Sequence, residues 1–158
     1  TINGGLDTVE KLSSTIVKAG EKVSEDTLTY RRDANGSFYP AVRAVKESEK
    51  KDGRTVENAS TYITGDRREL VLAGQTLTET TTRSDGSETK QINVFGMNAP
   101  GRPATGQASL REQQIIQKNK TANGVVETLS IRRPAVDDPK VLGPAQKISE
   151  KVCTGPCQ

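Results

Sequence analysis

The chain has 158 residues, a length for one domain, and its 23 Lys and Arg against 20 Asp and Glu leave a net charge of +3. It has no histidine and no tryptophan, only 3% aromatic and 32% hydrophobic residues. That excludes a thick apolar core and removes the commonest general base and metal ligand. The charge signs are mixed and nearly balanced, which argues against a self-repelling disordered chain, and no stretch is apolar enough to span a membrane.

Taken in chain order, the pattern predicts strands over 6–18, 22–32, 37–49, 54–64, 69–83, 87–97, 107–120, 125–133 and 143–152. The start at Thr1-Ile2-Asn3-Gly4 reads as processed or trimmed. The first strand has a competing reading. Asp7-Thr8-Val9-Glu10 resembles a helix N-cap with its reciprocal Glu, Val9, Leu12 and Ile16 lie near helical spacing, and Gly20 would be a C-cap. The repeat described next decides for a strand, because context outweighs local propensity. Further on, Thr27-Leu28-Thr29-Tyr30 and Thr76-Leu77-Thr78-Glu79-Thr80 carry the β-branched residues that suit a pleated surface. Pro40, Pro103 and Pro144 fall near strand starts, where a missing N–H is tolerated, and Gly74 and Gly106 mark candidate bulges.

Turn signals set the period. Ala19-Gly20, Asp52-Gly53 and Asp85-Gly86 recur every 33 residues, and Asn123-Gly124 follows after 38. A second series lies between them: Asn3-Gly4, Asn35-Gly36, Gly65 to Arg68, Pro100-Gly101 and Asp137 to Lys140. Asn-Gly and Asp-Gly favour tight hairpins because their central residues accept positive φ. Two side-chain columns run in phase, one through Leu12, Val45, Leu77, Leu110 and Ile148, the other through Thr29, Tyr62, Phe95 and Ile131.

The reading is therefore an all-β antiparallel meander of long hairpins with a repeat of about 33 residues. The units are approximately 1–34, 35–66, 67–99, 100–136 and a half unit 137–152, followed by a tail, 153–158. An open, elongated, twisted sheet fits the thin apolar supply best; a β-sandwich and an up-and-down barrel are the alternatives. The first strand is expected to be an edge shielded by Glu10, Lys11 and Lys18. An open meander of this kind resembles, in architecture, the single-layer sheets of spirochaete outer-surface lipoproteins. The turn-and-strand unit is similar to that of uncharacterised exported bacterial β-hairpin-repeat proteins. The resemblance covers most of the chain and transfers no activity, cofactor or site residue.

Candidate chemistry is sparse. Cys153 and Cys157 flank Thr-Gly-Pro, a turn that would bring the thiols together as a small terminal disulfide and favours an oxidising compartment. Two reduced thiols, a metal site or a redox centre are the alternatives. Asp137-Asp138 is a carboxylate pair, but Val-Asp-Asp-Pro reads better as a turn. Asp33 and Asn35 offer two oxygens without the spacing of a calcium loop. Asn35, Asn58 and Asn119 begin acceptor sequons that matter only in a eukaryotic secretory route. Three Arg pairs, Arg31-Arg32, Arg67-Arg68 and Arg132-Arg133, fall near the second turn series, where a meander would collect them on one rim. Such a rim would suit an acidic polysaccharide. No stacking aromatics accompany these Arg residues as nucleic acid would require. The expectation is a secreted, periplasmic or cell-surface protein that is structural, a scaffold or adhesive rather than an enzyme. It would need no cofactor or metal and would meet partners by sheet-edge pairing. The alternative is a carrier for a small apolar or polyanionic ligand on a curled sheet.

Overall fold

The computed structural model describes residues 10–96, 109–138 and 140–154. Nine strands form one sheet in which each pairs antiparallel with its chain neighbour: β1 (Glu10–Ala19), β2 (Lys22–Arg32), β3 (Phe38–Lys51), β4 (Arg54–Thr64), β5 (Leu70–Thr82), β6 (Glu88–Gly96), β7 (Ser109–Thr121), β8 (Gly124–Arg132) and β9 (Gln146–Cys153). β1 and β9 do not meet, so the sheet is open and neither closes as a barrel nor folds over as a sandwich. The described part of the first predicted strand is strand, and its proposed cap at Asp7 to Val9 lies outside the described residues.

Turn chemistry explains the meander. Asp52 and Gly53 have φ of 49° and 75°, the paired positive values of a two-residue hairpin turn. Three five-residue connections, 33–37, 65–69 and 83–87, share one hydrogen-bond pattern. In each, the first N–H reaches the fifth carbonyl and the fourth N–H returns to the first carbonyl. The fourth residue of each is left-handed: Gly36, Arg68 and Gly86. Asn3-Gly4 and Pro100-Gly101 lie outside the described residues.

One bulge per unit lies in the pairing of each even-numbered strand with the strand that follows it. The ladder slips by one residue between Thr29 and Tyr30, Thr61 and Tyr62, Val94 and Phe95, and Leu129 and Ser130. The extra residues are Ala41, Ala73, Arg111 and Ile148. Gly74 adjoins the second bulge without being its extra residue, and Gly106 lies outside the described residues.

There is almost no core. Ala41, 7% exposed, is the one buried hydrophobic residue among the described residues. The ladder and the cross-strand side chains take its place. Ion pairs join Asp26 to Arg43, Lys46 to Glu57, Arg54 to Glu79 and Lys118 to Glu127. Amide pairs join Asn58 to Gln75 and Asn93 to Gln113 at 2.9 Å. Beside the bulges, Tyr30 faces Pro40, Tyr62 faces Leu72 and Phe95 faces Leu110, an apolar seam on one face.

Candidate functional site

The turns divide between two rims. The connections after β2, β4 and β8 place all three Arg pairs on one rim, as the spacing predicts. Most of that charge is committed locally. Arg31 meets Glu10 at 3.4 Å, Arg32 donates to the Gly36 carbonyl, and Arg68 pairs with Asp33 at 3.1 Å while lying over the Tyr39 ring. Arg132 donates to the Gly143 and Leu142 carbonyls, and Arg133 meets Glu112 at 3.2 Å. Arg67 occupies the β4–β5 turn.

Four carboxylates lie below their ordinary range. Asp33 lies below the usual Asp range because the Ser37 and Asn35 N–H groups donate to it and Arg68 sits beside it. Asp85 is lowered by its bonds to Ser87, Asp26 by Arg43, and Glu112 by Gln114 and then Arg133. Asp33 with Asn35 is thus a turn closing on itself rather than a calcium loop. Asp138 accepts the Lys140 N–H and its carbonyl accepts the Val141 N–H, so Asp137-Asp138 also forms a turn. Among the described residues, no three His, Cys, Asp or Glu side chains gather in a metal-binding group. Cys153 ends β9 as a free thiol among the described residues, and Cys157 lies outside them.

Two further features stand out. A shallow hollow of about 380 Å³ lies over β1 to β4 at the opposite rim, floored by Val17, Ala19 and Val56 and bordered by Lys22, Glu47 and Glu49. Of these, Lys22 and Glu49 pair with each other at 3.4 Å. The second is the edge strand β1, exposed along its whole length, with Leu12, Ile16 and Val17 exposed by 71%, 59% and 56%. β1 is thus an edge as expected from Glu10, Lys11 and Lys18, but Leu12, expected in an apolar column, is exposed on it. The signal available was the alternation of Glu10, Leu12, Ser14, Ile16 and Lys18.

No protein-family model and no curated protein matches the chain. Among solved structures, a protein with unknown function from Bacteroides fragilis NCTC 9343 is similar at 12% identity, over 91% of this chain and 93% of that one, with a TM-score of 0.49.

Proposed function

We propose that the chain is an exported, non-enzymatic scaffold or adhesion-type protein that meets partners through its sheet edges and broad polar faces. The observation carrying this reading is the single open layer: nine strands, two unjoined edges and one buried hydrophobic residue among the described residues. Such a layer spends its sequence on surface. Its faces hold their charges in cross-strand pairs, and its hollows are open depressions rather than water-excluding pockets. Export is supported by the Cys-Thr-Gly-Pro-Cys tail, whose spacing would suit a disulfide in an oxidising compartment.

Solution scattering tests the reading. Nine strands at about 4.8 Å spacing, averaging about 11 residues, make a plate roughly 43 Å by 37 Å. Its radius of gyration is about 17 Å or more, against about 15 Å for a compact domain of this length. A compact value would overturn the scaffold. The hollow over β1 to β4 favours a second reading, a carrier of a small apolar ligand. Native mass spectrometry of the purified chain, carrying a retained apolar molecule, would support that reading. The polyanion version rests on the shared Arg rim, and passage through an anionic-polysaccharide column at low salt would end it.

A further inference from the structure

We propose that β1 is the docking edge for a second copy of this chain, the two β1 strands pairing antiparallel about a twofold axis at Ser14. The proposal rests on the scaffold reading and names its partner. Three observations point to it.

The first is the condition of the edge. β1 pairs with β2 through ten residues without a register shift and is exposed throughout. Lys11, a residue type that ordinarily guards an edge, is folded back with its Nζ 4.0 Å from the Phe38 ring centroid. The other free edge is blunted. β9 has eight residues, and the bulge at Ile148 breaks the alternation of its outward backbone groups, so it cannot form an unbroken ladder like that of β1.

The second is hydrogen-bond parity. Ala19 and Lys22 close the two-residue turn and so form a hydrogen-bonded pair. Alternation along an antiparallel ladder then directs the odd residues of β1 toward β2. The backbone groups of Glu10, Leu12, Ser14, Ile16 and Lys18 face away from β2, where no described strand lies.

The third is self-complementarity. An antiparallel pairing centred on Ser14 sets Glu10 opposite Lys18 of the second copy and Leu12 opposite its Ile16. By symmetry each contact occurs twice. All these side chains share one face, so the exposed apolar residues meet between two flanking ion pairs. Glu10, which already faces Arg31 at 3.4 Å, is shared between two cations. A shift by two residues loses both Glu–Lys pairs, and a shift by one puts opposite faces together. The result is a continuous sheet of two copies with β9 at each end.

Sedimentation equilibrium of the full chain is expected to show a dimer. Ser14→Pro removes an outward N–H at the centre of the new ladder, where an edge strand tolerates proline, and should give a folded monomer by circular dichroism. Lys18→Glu should weaken the dimer roughly tenfold or more, and Glu10→Lys with Lys18→Glu should restore it. In a chain with Cys153 and Cys157 changed to Ser, Ser14→Cys should cross-link to its own copy, because paired Cα atoms lie about 5.5 Å apart there. Leu12→Cys alone should not. A monomer at every concentration, a dimer indifferent to both Ser14→Pro and Lys18→Glu, or growth into longer polymers would each overturn the pairing. A monomer with plate-like scattering overturns the pairing and leaves the scaffold standing, whereas a compact scattering profile overturns the scaffold itself.

Discussion

Gly124 has a φ of 134°, and a Cβ built on it would lie 2.0 Å from the Cys153 carbonyl oxygen. Both the backbone region and the space forbid a side chain, and the obstacle is backbone, which cannot swing aside. Gly124→Ala should therefore cost about 2–4 kcal/mol and loosen β9 from β8, measured by urea denaturation and by faster amide exchange in β9. Gly86 offers a contrast at the same scale. Its φ of 77° also strains an Ala, but the nearest atom, 2.5 Å away, is the flexible end of Lys120. Gly86→Ala should cost less, about 1 kcal/mol, all of it from the left-handed backbone. Asp33 works through its carboxylate instead. It caps the N–H groups of Asn35 and Ser37 and meets Arg68 from the next turn of the same rim. Asp33→Ala should lower Tm, and Asp33→Asn should recover part of the loss because an amide oxygen still accepts the turn N–H bonds.

Among the elements, the turns were the most legible part of the sequence, because a positive φ has few solutions and Gly, Asn and Asp supply them. The described turns fall on or next to their Gly or Asp signals, with Arg68 taking the left-handed place in 65–69 and Ala122-Asn123 forming the turn before Gly124, and strand ends agree with the pattern to within a few residues. The columns were less legible. Gly20 is the first residue of its turn and Gly53 the second, so counting from glycine to glycine adds one residue to the true spacing. The residue of β3 equivalent to Leu12 is Ala44, while Val45 lies on the opposite face. Likewise the bulges align Tyr62 and Phe95 with Tyr30 rather than Thr29, and Ser130 rather than Ile131 follows them. Leu110 stands with Pro40 and Leu72 beside the bulges, leaving Ile115 as the partner of Val45 and Leu77. A bulge has no residue signature here, since its extra residue is Ala, Ala, Arg and Ile in turn. The Arg pairs were legible as a rim, but their engagement by Glu10, Asp33 and Glu112 depends on which strands become neighbours. That engagement predicts an acid response. Asp26, Asp33, Asp85 and Glu112 all lie below their ordinary range in the folded chain. Their contribution is complete above the unfolded values near 4 and is lost as pH falls through the lowered folded ones. Thermal melts should be flat from about pH 7 to about pH 5 and decline below about pH 4, and Asp26→Asn with Asp33→Asn should reduce that decline.

At the scale of the whole molecule, stability must come from the ladder and from half-buried cross-strand contacts, because the layer has no inside. Heat capacity distinguishes this from a cored domain. Unfolding raises heat capacity by exposing apolar surface and lowers it by exposing polar surface, and ordinary domains net about 12–15 cal/mol/K per residue. Here most side chains already touch water on one face or the other, while the backbone ladder is the main group to be uncovered. Calorimetry should therefore give a value below about 12 cal/mol/K per residue, with a correspondingly small urea m-value. Amide exchange should be graded across the sheet, slowest in β3 to β7 and fastest in the exposed strands β1 and β9, since each ladder protects only its own neighbours. Pairing of two β1 edges would reverse that order at one side alone, slowing exchange at Glu10, Leu12, Ser14, Ile16 and Lys18 as protein concentration rises while β9 stays fast. An ordinary heat capacity with uniform protection would instead mean that a face is covered, and a structure in which both faces meet solvent would no longer describe the chain.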